Sequence, residues 1–333
     1  MDLATRYLGL ELEHPIVASA SPLGRELDGI LRLEDAGCAA VVMPSIYEEE
    51  IETEDAAFAD LIERGSLANP EAASYFPSLS WPVGSLEARI ETLRRASEAC
   101  DIPVIASLNG STPAGWIEVA GELESAGAAA IELNIYRVPA DPAMNAEAVE
   151  QQWLDTVRQV RGAVSLPLAV KLGPWLSSPA NFAGRLVEAG AQGLVMFNRF
   201  YEPDIDLATL QPIPDLQLSQ PYEIRQALMW IALLAGQTKA SLAATGGVES
   251  HEEVVKYLLA GADVVMTTSA LLRHGPGHAE TLRRGLEEWM AGRNFSTLKE
   301  LRGRLAASHT GQPEAYVRAQ YIQILTGYGA AAR

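Results

Sequence analysis

The sequence predicts a single (β/α)8 barrel, and three observations carry that prediction. First, one phrase occurs four times: a helix stops at a glycine and a short apolar strand starts about two residues later. It is seen at Glu34-Asp35-Ala36-Gly37, Glu124-Ser125-Ala126-Gly127, Glu188-Ala189-Gly190 and Leu259-Ala260-Gly261. Glycine suits the residue after a helix because it takes a positive φ cheaply. Second, the strands that follow, such as Val41-Val42-Met43 and Val264-Val265-Met266, are apolar without alternation. That pattern fits strands with a core on one side and helices on the other. Third, strand and helix patterns alternate in equal number, eight of each, as a closed barrel requires. The alternative, a doubly wound sheet, usually has fewer strands and an early glycine fingerprint, and no GxGxxG motif occurs.

The elements follow in order. Strands are expected near 15–20, 39–43, 103–108, 129–134, 167–171, 192–197, 241–245 and 263–267. Helices are expected near 26–36, 86–99, 114–126, 145–162, 179–189, 222–235, 250–260 and 276–291. Pro103 and Pro167 open two of the strands, where a missing N–H is tolerated. Two connections, 44–84 and 198–220, exceed ordinary loop length and read as lids or pocket walls. The first carries an acidic run, Glu48, Glu49, Glu50, Glu52, Glu54 and Asp55, read as a solvated helix face, and then Tyr75-Phe76-Pro77 and Trp81. The barrel is expected to span 1–293. Residues 294–333 should form a helical extension packed on its outside, with no linker dividing the chain.

The composition narrows the function. The chain has 333 residues, 48% hydrophobic, with 25 basic and 43 acidic side chains and a net charge of −18. That balance argues against general binding to nucleic acid or an anionic membrane, while leaving room for a local phosphate site built from backbone N–H groups. Two cysteines, Cys38 and Cys100, are too few for a four-cysteine iron–sulfur cluster, and packing is the expected role of each. The first residues lack the basic and apolar regions of a signal peptide, and no stretch approaches 18 apolar residues, so a soluble cytoplasmic protein is expected. His274 and His278 flank Gly-Pro-Gly, which precludes a helical metal pair, and no metal site is expected.

Polar residues stand where the apolar strands end: Asn109, Asn134, Lys171, Asn198, Gly246-Gly247 and Thr268-Ser269. In a barrel such ends converge on one place. Gly246-Gly247 and Thr268-Ser269 would close the last two strands with a phosphate cradle of backbone N–H groups and hydroxyls. Lys171 lies inside an apolar strand, Leu168-Ala169-Val170-Lys171-Leu172, where a charge is costly unless paired or used. It could form a Schiff base, or stay an ammonium and hold negative charge. The asparagine amides both donate and accept, and so can read the edge of a flat heterocycle or simply tie down a loop.

These residues, in this order, resemble the dihydroorotate dehydrogenase family from about Tyr7 to Arg293. The motifs are His14-Pro15-Ile16-Val17-Ala18-Ser19-Ala20-Ser21, Glu132-Leu133-Asn134, Val170-Lys171-Leu172, Met196-Phe197-Asn198, Ala244-Thr245-Gly246-Gly247-Val248 and Thr268-Ser269-Ala270-Leu271. The resemblance implies an FMN-binding barrel. FMN would be bound by Ala18, Ser19, Ser45, Asn134, Lys171, Gly246, Gly247, Thr268 and Ser269. Lys171 would then act electrostatically on the flavin ring. Asn134, Arg137 and Asn198 would bind substrate, and the catalytic residues would be Tyr136, Arg137 and Lys171. The implied reaction is dihydroorotate to orotate, with electrons passing to a soluble or protein acceptor, in a homodimer. Two departures stand out. Arg137 occupies the position of the family's cysteine or serine base, and Pro139 that of its second asparagine. A guanidinium cannot accept a proton at neutral pH, but it can hold a carboxylate bidentately. Tyr136 offers a phenol as a substitute acid or base. Two other classes stay open: a Schiff-base lyase or aldolase using Lys171, and a non-catalytic flavoprotein serving a partner complex.

Overall fold

The computed structural model describes residues 1–47, 85–109, 116–136, 138–199, 203–213, 215–311, 313–317, 321–322 and 324–327. The acidic run, Tyr75-Phe76-Pro77, Trp81 and Arg137 lie outside them.

The chain opens with a small antiparallel hairpin, β1 (Thr5–Tyr7) and β2 (Leu10–Leu12). Leu8 and Gly9 turn it, with φ of 54° and 83°. Eight parallel staves follow: β3 (Ile16–Ala18), β4 (Val41–Val42), β6 (Val104–Asn109), β7 (Ala130–Asn134), β8 (Leu168–Leu172), β9 (Gly193–Met196), β12 (Ser241–Thr245) and β13 (Val264–Thr267). Between β4 and β6, β5 (Ile46–Tyr47) adds two residues alongside the upper end of β6. The barrel closes because β4 pairs on both sides, Ala18 with Val41 and Val41 with Val104.

Helices fill the returns: α1 (Leu27–Asp35), α2 (Leu86–Ala99), α3 (Trp116–Ser125), α4 (Ala146–Ala163), α5 (Pro179–Ala189), α6 (Ile224–Leu234), α7 (His251–Ala260) and, after a short α8 (Ser269–His274), α9 (His278–Gly292). Their ends are set locally. Ser85 and Asn145 cap α2 and α4 by accepting from Ala88 N and Ala148 N, and Ser250 forms a capping box with Glu253. Gly190 and Gly261 end α5 and α7 at φ of 116° and 119°, as the recurring phrase requires. The predicted barrel therefore stands, with every predicted strand and helix present within a few residues.

Side chains along each stave alternate between the helices and the lumen. Ile16, Ala18, Leu108, Ile131, Leu133 and Val170 join the outer core beneath the helices. Val17, Ile105, Ala130, Ala169, Val195 and Ala243 form a second core in the lumen, plugged from below by Tyr7, Leu8 and Leu12 of the hairpin. The lower lumen is packed solid, which leaves the C-terminal ends of the staves as the place for chemistry.

The long connection after β9 holds a second hairpin, β10 (Asp204–Asp206) and β11 (Gln211–Ile213). After α9, a helical turn α10 (Leu298–Leu301) buries Leu298 and Leu301 against the core. A 3-10 turn at Pro313–Tyr316 follows. Cys38 is buried, which pushes its thiol up to about 12, and Cys100 is also pushed up to about 12 by burial and then by Glu34. Neither thiol is poised to react.

Candidate active site

The alternation that builds the lumen carries upward into polar residues. Above Val17 comes Ser19; above Ile105 come Ser107 and Asn109; above Ala130 come Glu132 and Asn134; above Ala169 comes Lys171. Strand pairing sets Asn109 opposite Asn134 and Asn134 opposite Lys171, so three neighbouring staves end at one level. Lys171 is 6% exposed. Its Nζ donates to Glu132 Oε1 at 3.4 Å and to Ser19 Oγ at 3.4 Å. Ser19 follows β3, four staves around from β8, so the amine spans the mouth of the barrel. An amine held between a carboxylate and a hydroxyl is in the setting of a charged ammonium, which does not favour the Schiff-base reading.

Beside it, Asn198 Nδ2 donates to Asn134 Oδ1 at 2.8 Å. The two amides, 64 residues apart in sequence, become one unit. Asn134 keeps its NH2 group and Asn198 its carbonyl oxygen for another partner. Tyr136 N donates to Asn134 O, which sets the turn that leaves β7. Asn109 is buried in the same row but is not part of this amide pair.

On the other side, Gly246 and Gly247 adopt φ of 91° and 69° after β12. A Cβ on Gly247 would lie 2.8 Å from Gln220 O and 2.8 Å from Ile224 Cγ2, so glycine is needed for close packing. A Cβ on Gly246 would meet nothing within 4 Å, so this residue faces open space. Tyr257 of α7 supports the turn by donating to Gly246 O at 3.0 Å. Thr268 Oγ1 donates to Ser19 O at 3.1 Å, which joins the end of β13 to the end of β3.

Ser219 ties the cradle together. Its Oγ accepts from Gly247 N at 3.2 Å and bonds Ser269 Oγ at 2.8 Å, and its N–H donates to Ser269 Oγ. No motif marks Ser219 in the sequence, because its role depends on the long connection folding back over the barrel. Arg89 is a second residue of that kind. From α2 it donates to Pro44 O and, at 3.1 Å, to Ser45 O. That holds the chain after β4 in place, where Ser45 Oγ and Ser107 Oγ lie 2.8 Å apart. Ala18, by contrast, turns its side chain to the helices, so only its backbone can border the mouth.

A cavity of about 850 Å3 opens at the opposite end of the barrel, lined in part by Arg6, Lys239, Asp263, Arg302 and His309. Its charges are largely spoken for: Arg302 pairs with Asp263, and Arg6 with Glu11 at 3.3 Å. The converging polar ends lie at the other face.

A sequence model described as dihydroorotate dehydrogenase matches residues 82–290. The chain belongs to the dihydroorotate dehydrogenase family. It is 27% identical over 323 residues to a putative dihydroorotate dehydrogenase A (fumarate) of Aeropyrum pernix, covering 91% of this chain and 97% of that one. It is 26% identical to the catalytic subunit of a dihydroorotate dehydrogenase B (NAD(+)) of Methanothermobacter thermautotrophicus, covering 90% and 97%. It is 25% identical to the NAD-dependent dihydropyrimidine dehydrogenase subunit PreA of Escherichia coli, covering 91% and 76%. The family is one of flavin-dependent dehydrogenases acting on CH–CH bonds, and this chain is an enzyme of that class.

The residues present fit an FMN. Gly246 presents bare backbone to open space beside Thr268 and the start of α8, where leading N–H groups lack intrahelical partners. Lys171 brings a buried cation to the mouth with two long hydrogen bonds among the described residues, so its ammonium can still serve an incoming acceptor.

Proposed function

We propose that the chain is an FMN-dependent oxidoreductase that desaturates a carbon–carbon bond of a small reduced pyrimidine ring, with dihydroorotate as the first candidate. The observation that supports this most is the paired amide of Asn134 and Asn198 beside the Lys171 ammonium. One amide NH2 and one amide oxygen, fixed side by side, complement the C=O and N–H of a cyclic amide. When bound, FMN supplies the two-electron acceptor for the hydrogen that leaves one carbon with its bonding pair.

The chain does the rest. Gly246, Gly247, Thr268 and Ser269 hold the phosphate. Ala18, Ser19, Ser45 and Asn134 border the ring. Lys171 counters negative charge at its edge. The second hydrogen leaves the adjoining carbon as a proton, and the new double bond forms between the two carbons. Arg137 cannot take that proton, and we assign it the ring carboxylate. Tyr136, its neighbour, is our candidate acceptor through its phenol oxygen, which requires the phenolate. The electrons then pass to a small soluble acceptor or a protein partner.

Among the described residues no helix is long and apolar enough to cross a membrane, and we propose a cytoplasmic homodimer. Ile205, Leu207, Leu210 and Ile213, exposed on and beside the β10–β11 hairpin, are the surface association would cover.

The test is anaerobic bleaching of the bound flavin by dihydroorotate, dihydrouracil and dihydrothymine. Bleaching by dihydroorotate, slowed by Asn198→Ala and by Arg137→Ala, is the expected result. Bleaching by dihydrouracil alone would move the substrate to an uncharged ring. No bleaching by any of the three would overturn the reading.

A further inference from the structure

Glu132 is a buried charge at the mouth to which the reaction gives no work. It sits on β7, two residues below Asn134 and paired across to Ala169, which places it one layer beneath Lys171. It is 1% exposed. Its Oε1 meets Lys171 Nζ at 3.4 Å, and its Oε2 is buried with no hydrogen-bond partner among the described residues. Among the described residues the layer below offers no cation. There Tyr7 rises from the β1–β2 hairpin, fully buried, and its hydroxyl also lacks a partner. Burial pushes the Tyr7 phenol far up, and the charges of Glu132 and then Asp263 push it further, so it stays a neutral neighbour. Around these groups lie Val17, Ile105, Ala169, Val195 and Met266.

A carboxylate placed in apolar surroundings with half of its acceptor capacity unused gives little net stability. Well-packed apolar residues do as well or better than a buried ion pair. Its consequence is electrostatic. Lys171 alone would present a full positive charge to whatever stacks across the mouth. With Glu132 beneath it, the pair presents a charge close to zero, and the amine is tethered from below while Ser19 holds it from across the barrel.

We infer that Glu132 is a positioning residue that fixes the Lys171 amine at the barrel mouth and offsets its charge, so that bound FMN is less easily reduced than Lys171 alone would make it. This rests on the flavin reading of the site. In low-dielectric surroundings a unit charge this close acts strongly on a neighbouring charged group. The effect is read as the ratio of the dissociation constants of oxidised and reduced FMN, or equivalently as the two-electron midpoint potential. A tenfold change in that ratio is about 30 mV.

The experiment measures both quantities for the wild-type protein, Glu132→Gln, Lys171→Met and the double variant. Glu132→Gln should favour reduced FMN by about tenfold or more. Lys171→Met should favour oxidised FMN. The double variant, which removes both charges, should return close to the wild-type ratio. A merely structural role predicts instead that each substitution weakens both FMN forms alike and leaves their ratio unchanged. Glu132→Asp keeps the charge and shortens the tether, so it should hold the wild-type ratio while weakening both forms. If Glu132→Gln leaves the ratio unchanged or lowers it, the inference falls even with FMN bound. If the wild-type protein binds no flavin, the flavin reading falls and takes this inference with it.

Discussion

Replacing each glycine of the Gly246-Gly247 turn by alanine separates packing from ligand binding. Both residues have positive φ, 91° and 69°, so either alanine incurs a left-handed backbone cost of about 1–2 kcal/mol. At Gly247 the new methyl also lies 2.8 Å from Gln220 O and from Ile224 Cγ2. Backbone must shift, which adds about 1–3 kcal/mol of overpacking, and the bond from Gly247 N to Ser219 Oγ is disturbed. Gly247→Ala should therefore destabilise the flavin-free protein by roughly 2–5 kcal/mol. At Gly246 the methyl meets nothing within 4 Å. Gly246→Ala should cost only the backbone term, but it puts a methyl where a phosphate would approach. A loss of about 1.4–2.7 kcal/mol in FMN binding is a factor of about 10 to 100 in Kd. The assay pairs urea unfolding of the flavin-free protein with titration by FMN and by riboflavin, which lacks the phosphate. Gly246→Ala should reduce the preference for FMN over riboflavin. If that preference is unchanged while FMN still binds, the phosphate does not sit at this turn.

Two further outcomes are expected. His14 is 6% exposed and its proton affinity is lowered to about 4, first by burial and then by the nearby Arg283. The unfolded chain takes up this proton near pH 6.5 and the folded chain does not, so stability is lost as pH falls from about 6.5 to about 4. At 1.36 kcal/mol per unit that is roughly 3 kcal/mol. His14→Gln should flatten the fall, seen in urea midpoints at pH 7.5 and 4.5, and a wild-type protein as stable at 4.5 as at 7.5 would remove this account. For the hairpin, Leu207→Glu with Leu210→Glu should convert a dimer to monomers by light scattering with the fold intact. A mass unaffected by the pair would place any dimer contact elsewhere.

The barrel was legible because its signals are local. A helix that stops at glycine and a strand that starts two residues on, as at Gly190 and Gly261, need only chain chemistry. The β1–β2 hairpin was missed for an equally local reason. Its strands are three residues long, too short to show alternation, and its turn is Leu8-Gly9 and not Asn-Gly or Asp-Gly. The β10–β11 hairpin was likewise hidden inside a long proline-containing connection.

By itself the sequence determined the fold and the level at which polar side chains gather, since polar residues at the ends of apolar strands point to one end of a parallel barrel. It also marked Lys171 as a charge in an apolar strand. Glu132 carries the same mark, yet only the tertiary structure pairs the two, because strand register places one layer above the other. Nor could sequence show that Asn134 and Asn198 form one amide pair, that Ser219 knits Gly247 to Ser269, or that Ala18 turns its side chain away from the lumen. Those facts depend on barrel closure and strand alternation. Closure brings side chains from staves distant in sequence to hydrogen-bond distance, and alternation decides which face of each strand they occupy.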